Sequence, residues 1–378
     1  MDVSKPAPVR RKLRVLEIGR FVAAFTVLLS HYISMMSYYA IPSSAKALAS
    51  LCQSIPAPLA VLYFFVLSGF VMMSTHAGDF GRLEKVPAFL WRRACRIYPA
   101  YWLALGIFLL ALQSAQPLGY LLRLAFLVPA STQELVSPAW SLRYEIAFYI
   151  AFSLCLLPYI GRLLLAFWVF VTLWCWRPPV LAFITPGPAA GAFLAHVPAM
   201  FISPFELFFF AGLLAGLLYV RRRMESRIAG WLLVTAGLGV LLLMAPRFDY
   251  GLSYASPPFG LLIGLAFGGV ILGLAALERA GHIRAGHWAE QLGTLSYPTY
   301  ILHAVLMFAF NYTLQKHHMH LSLAGPALVL FCLAYLITML LIITAITVFA
   351  EQPVQRGLRR LTTAIAQLWT HPRAALDA

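Results

Sequence analysis

Apolar runs long enough to cross a bilayer recur along almost the whole chain, and they leave few folds open. They lie near residues 14–36, 55–74, 98–114, 140–159, 162–176, 203–220, 229–245, 259–277, 293–312 and 325–350, separated by short polar breaks. As helix, about 20 such residues span the roughly 30 Å hydrocarbon core. Charged residues make up 11% of the chain against 61% hydrophobic, where a soluble domain carries about 25% charged. Such a chain cannot coat a water-soluble core. Soluble enzymes, secreted domains and DNA-binding proteins are excluded. The expected fold class is all-α, a polytopic membrane bundle of about ten helices.

A net charge of +15 would suggest nucleic acid if it formed one patch, but its distribution gives another answer. With a cytoplasmic N-terminus, 21 Lys and Arg fall on inner segments and five on outer loops, while Arg20 and Arg143 lie within spans. The inner set includes the basic tail (Lys5, Arg10, Arg11, Lys12, Arg14) and the 75–97 loop (Arg82, Lys85, Arg92, Arg93, Arg96). The five outer charges are Lys46, Arg123, Arg177, Arg247 and Lys316. This bias predicts an N-in, C-in topology, and no nucleic acid is needed to explain the pI. The first apolar run is too long for a signal-peptide core and is expected to be retained. The chain then divides into a basic cytoplasmic tail at 1–13, a transmembrane domain at 14–350 and a cytoplasmic tail at 351–378. Its five scattered cysteines form no CxxC pair and read as small apolar residues, with no metal site. The apolar piece from Tyr120 to Val128 is expected to lie in the interface or dip into the membrane.

Ionisable groups inside a span mark function by default. Arg20 and His31 are eleven residues apart on the first helix. Eleven steps of 100° fall within about 20° of three full turns, so the two share a face, separated by roughly 16 Å of rise. Glu17 lies three residues before Arg20 and is placed to pair with it. The bland reading is that Arg20 snorkels to the headgroups and His31 satisfies a helix–helix hydrogen bond. On the fourth span, Trp140, Ser141, Leu142, Arg143, Tyr144 and Glu145 follow one another, and Glu145 falls near the depth of His31. A carboxylate beside an imidazole makes a base with an orienting partner. The alternative is a structural pair of Glu145 with Arg20 or, less readily, with Arg143. Arg92, Arg93 and Arg96 cluster before the third span, suited to phosphates or simply to the inner headgroups. Ser68 and Gly69, in Phe64-Phe65-Val66-Leu67-Ser68-Gly69, permit close backbone approach. His303 is either a packed helix residue or a second functional histidine. Glu206, at the outer lip of the sixth span, would contact a sugar hydroxyl or sit in water.

Together these segments resemble the acyltransferase-3 family of integral-membrane acyltransferases, which acylate cell-surface carbohydrates. The Arg-x10-His of its first helix is matched by Arg20 and His31, its FFxLSG by Phe64 to Gly69, and its RxxR by Arg93 and Arg96. Its WSLxxE is matched by Trp140 to Glu145. Ser296, Tyr297, Tyr300 and His303 resemble its SYxxYLxH, and Glu351-Gln352-Pro353 its ExP ending. The matches occur in order and span nearly the whole chain. One departure is the first helix, which reads Glu17-Ile18-Gly19-Arg20 where DGLR is common.

The resemblance implies an enzyme of the bacterial cytoplasmic (inner) membrane that moves an acyl group, most often acetyl, from cytosolic acyl-CoA to a carbohydrate or glycolipid hydroxyl. Acetyl-CoA would be a co-substrate, with no bound cofactor. Catalysis would fall to His31 as general base oriented by Glu145, with Arg20. Donor binding would fall to Arg92, Arg93, Arg96 and Ser68. Glu17, Trp140, Ser141, Tyr297 and His303 would support the acceptor or the site. A secondary transporter, which also buries Arg, His and Glu at mid-depth, is the alternative. A lipid-sugar glycosyltransferase is disfavoured because residues 37–54 contain no Asp or Glu.

Overall fold

In a computed structural model, residues 13–112, 116–129, 134–176, 199–222, 226–245, 257–319 and 321–370 are described. The basic residues Lys5, Arg10, Arg11 and Lys12, together with Arg177, Arg247 and Arg373, lie outside them. Among the described residues the chain is helical throughout, apart from one isolated bridge between Ala40 and Leu323. Each of the ten apolar runs forms a helix: α1 (Arg14–Ser37), α3 (Ala57–His76), α4 (Val86–Leu112), α6 (Ala139–Cys155), α7 (Gly161–Cys175), α8 (Phe205–Val220), α9 (Arg227–Met244), α10 (Pro257–Arg279), α11 (Trp288–Lys316) and α12 (Gly325–Ile346). Three shorter or more polar helices join them: α2 (Pro42–Gln53), α5 (Leu118–Ala125) and α13 (Gln352–Thr370). Seven helical stretches are long and apolar enough to cross a membrane. This is a multi-pass integral membrane protein.

Two boundaries differ from the sequence expectation. Helix α4 starts at Val86 and not near 98, so the Arg92–Arg96 cluster is helical and continues straight through Pro99. The expected C-terminal tail is likewise helix α13 over residues 352–370. The Tyr120–Val128 piece forms most of α5. Its last carbonyls are held by three aromatic side chains of α4: Tyr101 donates to Leu124 O (2.8 Å), Trp102 to Ala125 O (2.8 Å) and Tyr98 to Phe126 O (2.9 Å).

Two close packings set the frame. Helices α3 and α8 run parallel with their backbones almost in contact. A Cβ on Gly69 would drive into the carbonyl oxygen of Phe209, and one on Gly212 into that of Val66. Only glycine permits this approach, which is the small-residue packing that membrane helices use in place of a hydrophobic drive. The glycine of the FFxLSG segment therefore has a structural cause. Helices α1, α4 and α11 form the second group, also mutually parallel: Glu17 packs on Gly293, His31 on His303, and Phe108 stacks on Phe308 with ring centroids 4.2 Å apart. Gly293 leaves the room that the Glu17 carboxylate occupies.

This second group is pinned at one end and tied within the bundle. Glu278 caps the start of α1, accepting from Arg14 N (2.9 Å) and Val15 N (3.0 Å), two of the donors a helix start leaves unpaired. Arg14 Nε also meets Glu290 at 2.8 Å. These contacts gather Arg14, Glu278 and Glu290 at one end of the bundle, called here the basic end. Pro99 and Pro298 each remove one helical hydrogen bond. Between them Tyr297 donates its hydroxyl to Ile97 O at 2.8 Å, so α4 and α11 are tied where both ladders are interrupted.

Candidate active site

Three cavities follow one another along the bundle. The first, about 760 Å³, opens at the basic end and is lined by Glu17, Arg20, Arg96, Tyr297 and Glu351 among others. The second, about 50 Å³, shares Arg20, Arg96 and Tyr297 with it and adds Ser68, Ser141 and Glu145. The third, about 160 Å³, contains His31 and Trp140 and shares Val61 and Tyr300 with the second. Arg20 thus stands between the first and second cavities, and Tyr300 between the second and third. The shared face of Arg20 and His31 turns toward this row.

The geometry reassigns the partner of His31. His31 Nδ1 lies 2.9 Å from His303 Nε2, and the rings stack with centroids 5.2 Å apart. His303 is completely buried, and its Nδ1 is 2.9 Å from Thr299 O. A carbonyl only accepts, so His303 Nδ1 carries the proton and its Nε2 presents a lone pair when neutral. His31 Nδ1 must then donate, which leaves His31 Nε2 as a free acceptor. That is the form a general base requires.

Glu145, expected to orient His31, is engaged elsewhere. Ser68 Oγ donates to Glu145 Oε1 at 2.9 Å, and the Tyr149 hydroxyl donates to the same oxygen. The two groups belong to different cavities of the row: α6 presents Glu145 to α3 at the second, whereas α1 presents His31 to α11 at the third. Arg20 pairs with Glu17 at 2.9 Å, as the three-residue spacing implied. Arg143, which is deeply buried, pairs with the partly buried Glu134 at 2.5 Å, and not with Glu145. Burial pushes the Glu134 carboxyl up to about 7, against the opposing pull of Arg143.

The arginine cluster divides by role. Arg96 lines the first and second cavities. Arg93 is 9% exposed, with its guanidinium 5.6 and 5.5 Å from the ring centroids of Phe89 and Tyr149; it packs between aromatic faces and lines none of the three cavities. Arg92 is exposed on the surface. Ser141 and the Tyr300 hydroxyl meet at 2.7 Å, and both lie near Pro138 O. Tyr297 is committed to Ile97. Glu206 stands in the first turn of α8, as expected, but it does not sit in water: it is wholly buried. Sequence reasoning passed over Tyr300 and Tyr149 as functional residues. Tyr300 was visible inside the SYxxYLxH segment, and Tyr149 stands four residues after Glu145, on the same helix face.

Comparison with known proteins identifies the family of the chain. The acyltransferase-3 family model, described as an acyltransferase domain, matches residues 13–348. The chain is also 29% identical over 320 residues to the exopolysaccharide production protein ExoZ of Rhizobium meliloti (strain 1021), covering 80% of this chain and 90% of that protein. No solved structure matches. The residues of the cavity row fall within the matched stretch, apart from those at the far end of the basic cavity, and the chain belongs to the acyltransferase-3 family of membrane acyltransferases.

Proposed function

We propose that the protein transfers an acetyl group from acetyl-CoA, offered at the basic end, to a hydroxyl of an exported or cell-surface carbohydrate at the opposite end. The observation that carries this reading is the row of three cavities with Arg20 and Arg96 at one junction and His31 beyond the other. Its support from relatives is the similarity to a protein of exopolysaccharide production. The basic end faces the bacterial cytoplasm, in keeping with the 21-to-5 charge bias.

The acceptor hydroxyl enters the third cavity, where Trp140 and Tyr300 offer aromatic faces. His31 Nε2 removes its proton as the oxygen attacks the thioester carbonyl. The C–S bond breaks, and the proton passes from His31 to the leaving thiolate, giving the ester and free CoA. His303 holds His31 in the required tautomer. Arg20 lies roughly 16 Å of helix rise from His31, too far to touch the reacting carbonyl, so it and Arg96 hold the donor. The second cavity, about 50 Å³, suits a two-carbon acyl group. Family membership as an acyltransferase replaces the transporter alternative.

Acetyl-CoA binding and transfer by the protein in nanodiscs test the reading. His31→Ala should abolish transfer and keep donor binding. Arg96→Ala should weaken donor binding by tenfold or more, as expected for a charge-assisted contact of about 1.5–3 kcal/mol, whereas Arg93→Ala should lower thermal stability and spare binding. Transfer by His31→Ala, or no acyl-CoA binding by the folded wild type, would refute it.

A further inference from the structure

Between α12 and α13 the chain is wound as a π-helical turn over Thr347–Glu351. Such turns interrupt regular helix and recur where a side chain has to be aimed. Here the aimed side chain is Glu351, only 4% exposed. Its Oε1 accepts from Gln355 Nε2 at 2.8 Å, which fixes the carboxylate plane. Its Oε2 is buried with no hydrogen-bond partner among the described residues, although Glu351 lines the large cavity at the basic end. A buried carboxylate oxygen left this way is costly unless a ligand supplies a donor.

The charges around the cavity specify which donor. Arg20 is held by Glu17 and Glu290 by Arg14. Of the charged groups on the lining, this leaves Arg96 and Glu351, one of each sign. A phosphate is repelled by Glu351 and gains no net positive field by moving inward. A neutral chain bearing amide N–H and hydroxyl groups meets both residues without penalty. In acyl-CoA that chain is the pantetheine arm, and its thiol end must travel deepest. We infer that Glu351 binds the donor, its Oε2 accepting from an amide N–H or hydroxyl of the pantetheine arm while the nucleotide phosphates stay at the cavity mouth. The inference rests on the acyl-CoA reading proposed above.

Binding of three probes to the protein in nanodiscs separates the possibilities: CoA, 4′-phosphopantetheine, and adenosine 3′,5′-bisphosphate, which lacks the arm. Glu351→Ala should weaken CoA and 4′-phosphopantetheine about tenfold, the loss expected for a hydrogen bond to a charged group, and leave the bisphosphate unchanged. Glu351→Gln, which keeps an acceptor oxygen, should recover most of the affinity. If the alanine variant fails to fold, Glu351→Asp withdraws the oxygen by one methylene and should show the same selective loss. Unchanged CoA affinity in the variants, or an equal loss for the bisphosphate, overturns the inference and leaves the donor reading standing. Absence of CoA binding by the wild type overturns both.

Discussion

Replacing His303 tests the histidine pair directly. Thr299 O fixes His303, and His303 fixes His31, each through a 2.9 Å hydrogen bond. His303→Ala removes the only acceptor positioned for His31 Nδ1–H among the described residues. The immediate loss is one buried hydrogen bond, about 1–1.5 kcal/mol or roughly tenfold in rate. The larger loss is the tautomer: without the acceptor, His31 no longer holds its proton on Nδ1, and a base in the wrong tautomer can cost up to about 10⁴. Between these bounds a fall in kcat of about 10²–10³ is expected. The KM for acetyl-CoA should stay unchanged, because the donor contacts proposed at Arg20 and Arg96 lie in other cavities. His303→Phe keeps a stacking ring without an acceptor and should match His303→Ala. His303→Gln places an amide oxygen near the former Nε2 and should recover at least tenfold of the loss. Steady-state transfer to an acceptor hydroxyl at saturating acetyl-CoA reads all three. Full activity in His303→Phe would refute the tautomer argument, and a matching loss in His303→Gln would reduce the residue to packing.

The other predictions concern the scaffold. At pH 8, above the value of about 7 that burial gives Glu134, Glu134→Leu deprives a buried guanidinium of its carboxylate and should cost about 3–5 kcal/mol; Arg143→Leu should cost less, because the remaining carboxyl can stay protonated. Thermal unfolding in detergent compares them, and equal losses would contradict the reasoning. Gly69→Ala forces a methyl group onto the Phe209 carbonyl and should destabilise by about 1–3 kcal/mol or more. Gly106→Ala, with open space around its Cβ position, should be neutral or slightly stabilising, as alanine favours helix by up to about 1 kcal/mol. A Gly69→Ala variant as stable as Gly106→Ala would mean that α3 and α8 can part.

Much of this was legible in the sequence because the bilayer constrains composition so strongly. All ten apolar runs became helices, and the period of 3.6 placed Arg20 and His31 on one face. Spacing within a helix also gave the Glu17–Arg20 pair. What the sequence could not give was the rotation of one helix against another. His31 and His303 are 272 residues apart, and nothing in either local pattern says that α1 turns its C-terminal half toward α11. Nor does the local pattern of α6 say which neighbour its carboxylate meets, and Glu145 accepts from Ser68. Arg93 and Arg96 likewise share a motif but not a fate: aromatic rings of α4 and α6 hold the first, while the cavities receive the second. Local pattern identified the chemical groups, and tertiary packing decided their partners.

If the donor is acyl-CoA, as proposed above, the arrangement also bears on how its thioester can be used across a membrane without being wasted. A donor that reached the outer side along an open aqueous channel would meet water before it met a sugar. Here the second cavity, about 50 Å³, is walled by Phe64, Phe65 and Leu142 as well as its polar groups, room for a few waters or a two-carbon acyl group. Beyond it Tyr300 is tied to Ser141 at 2.7 Å, and the base lies on the far side. The base is thus separated from the donor cavity by a neck that the acyl end of the donor itself must fill. On that reading, an acyl group filling the neck closes His31 off from water in the first cavity, and the hydroxyl that can reach both the acyl carbon and His31 Nε2 is one held from the opposite side. On the proposed reading, the roughly 16 Å between Arg20 and His31 is the distance over which the arm is gripped at one end so that its thioester emerges at the other.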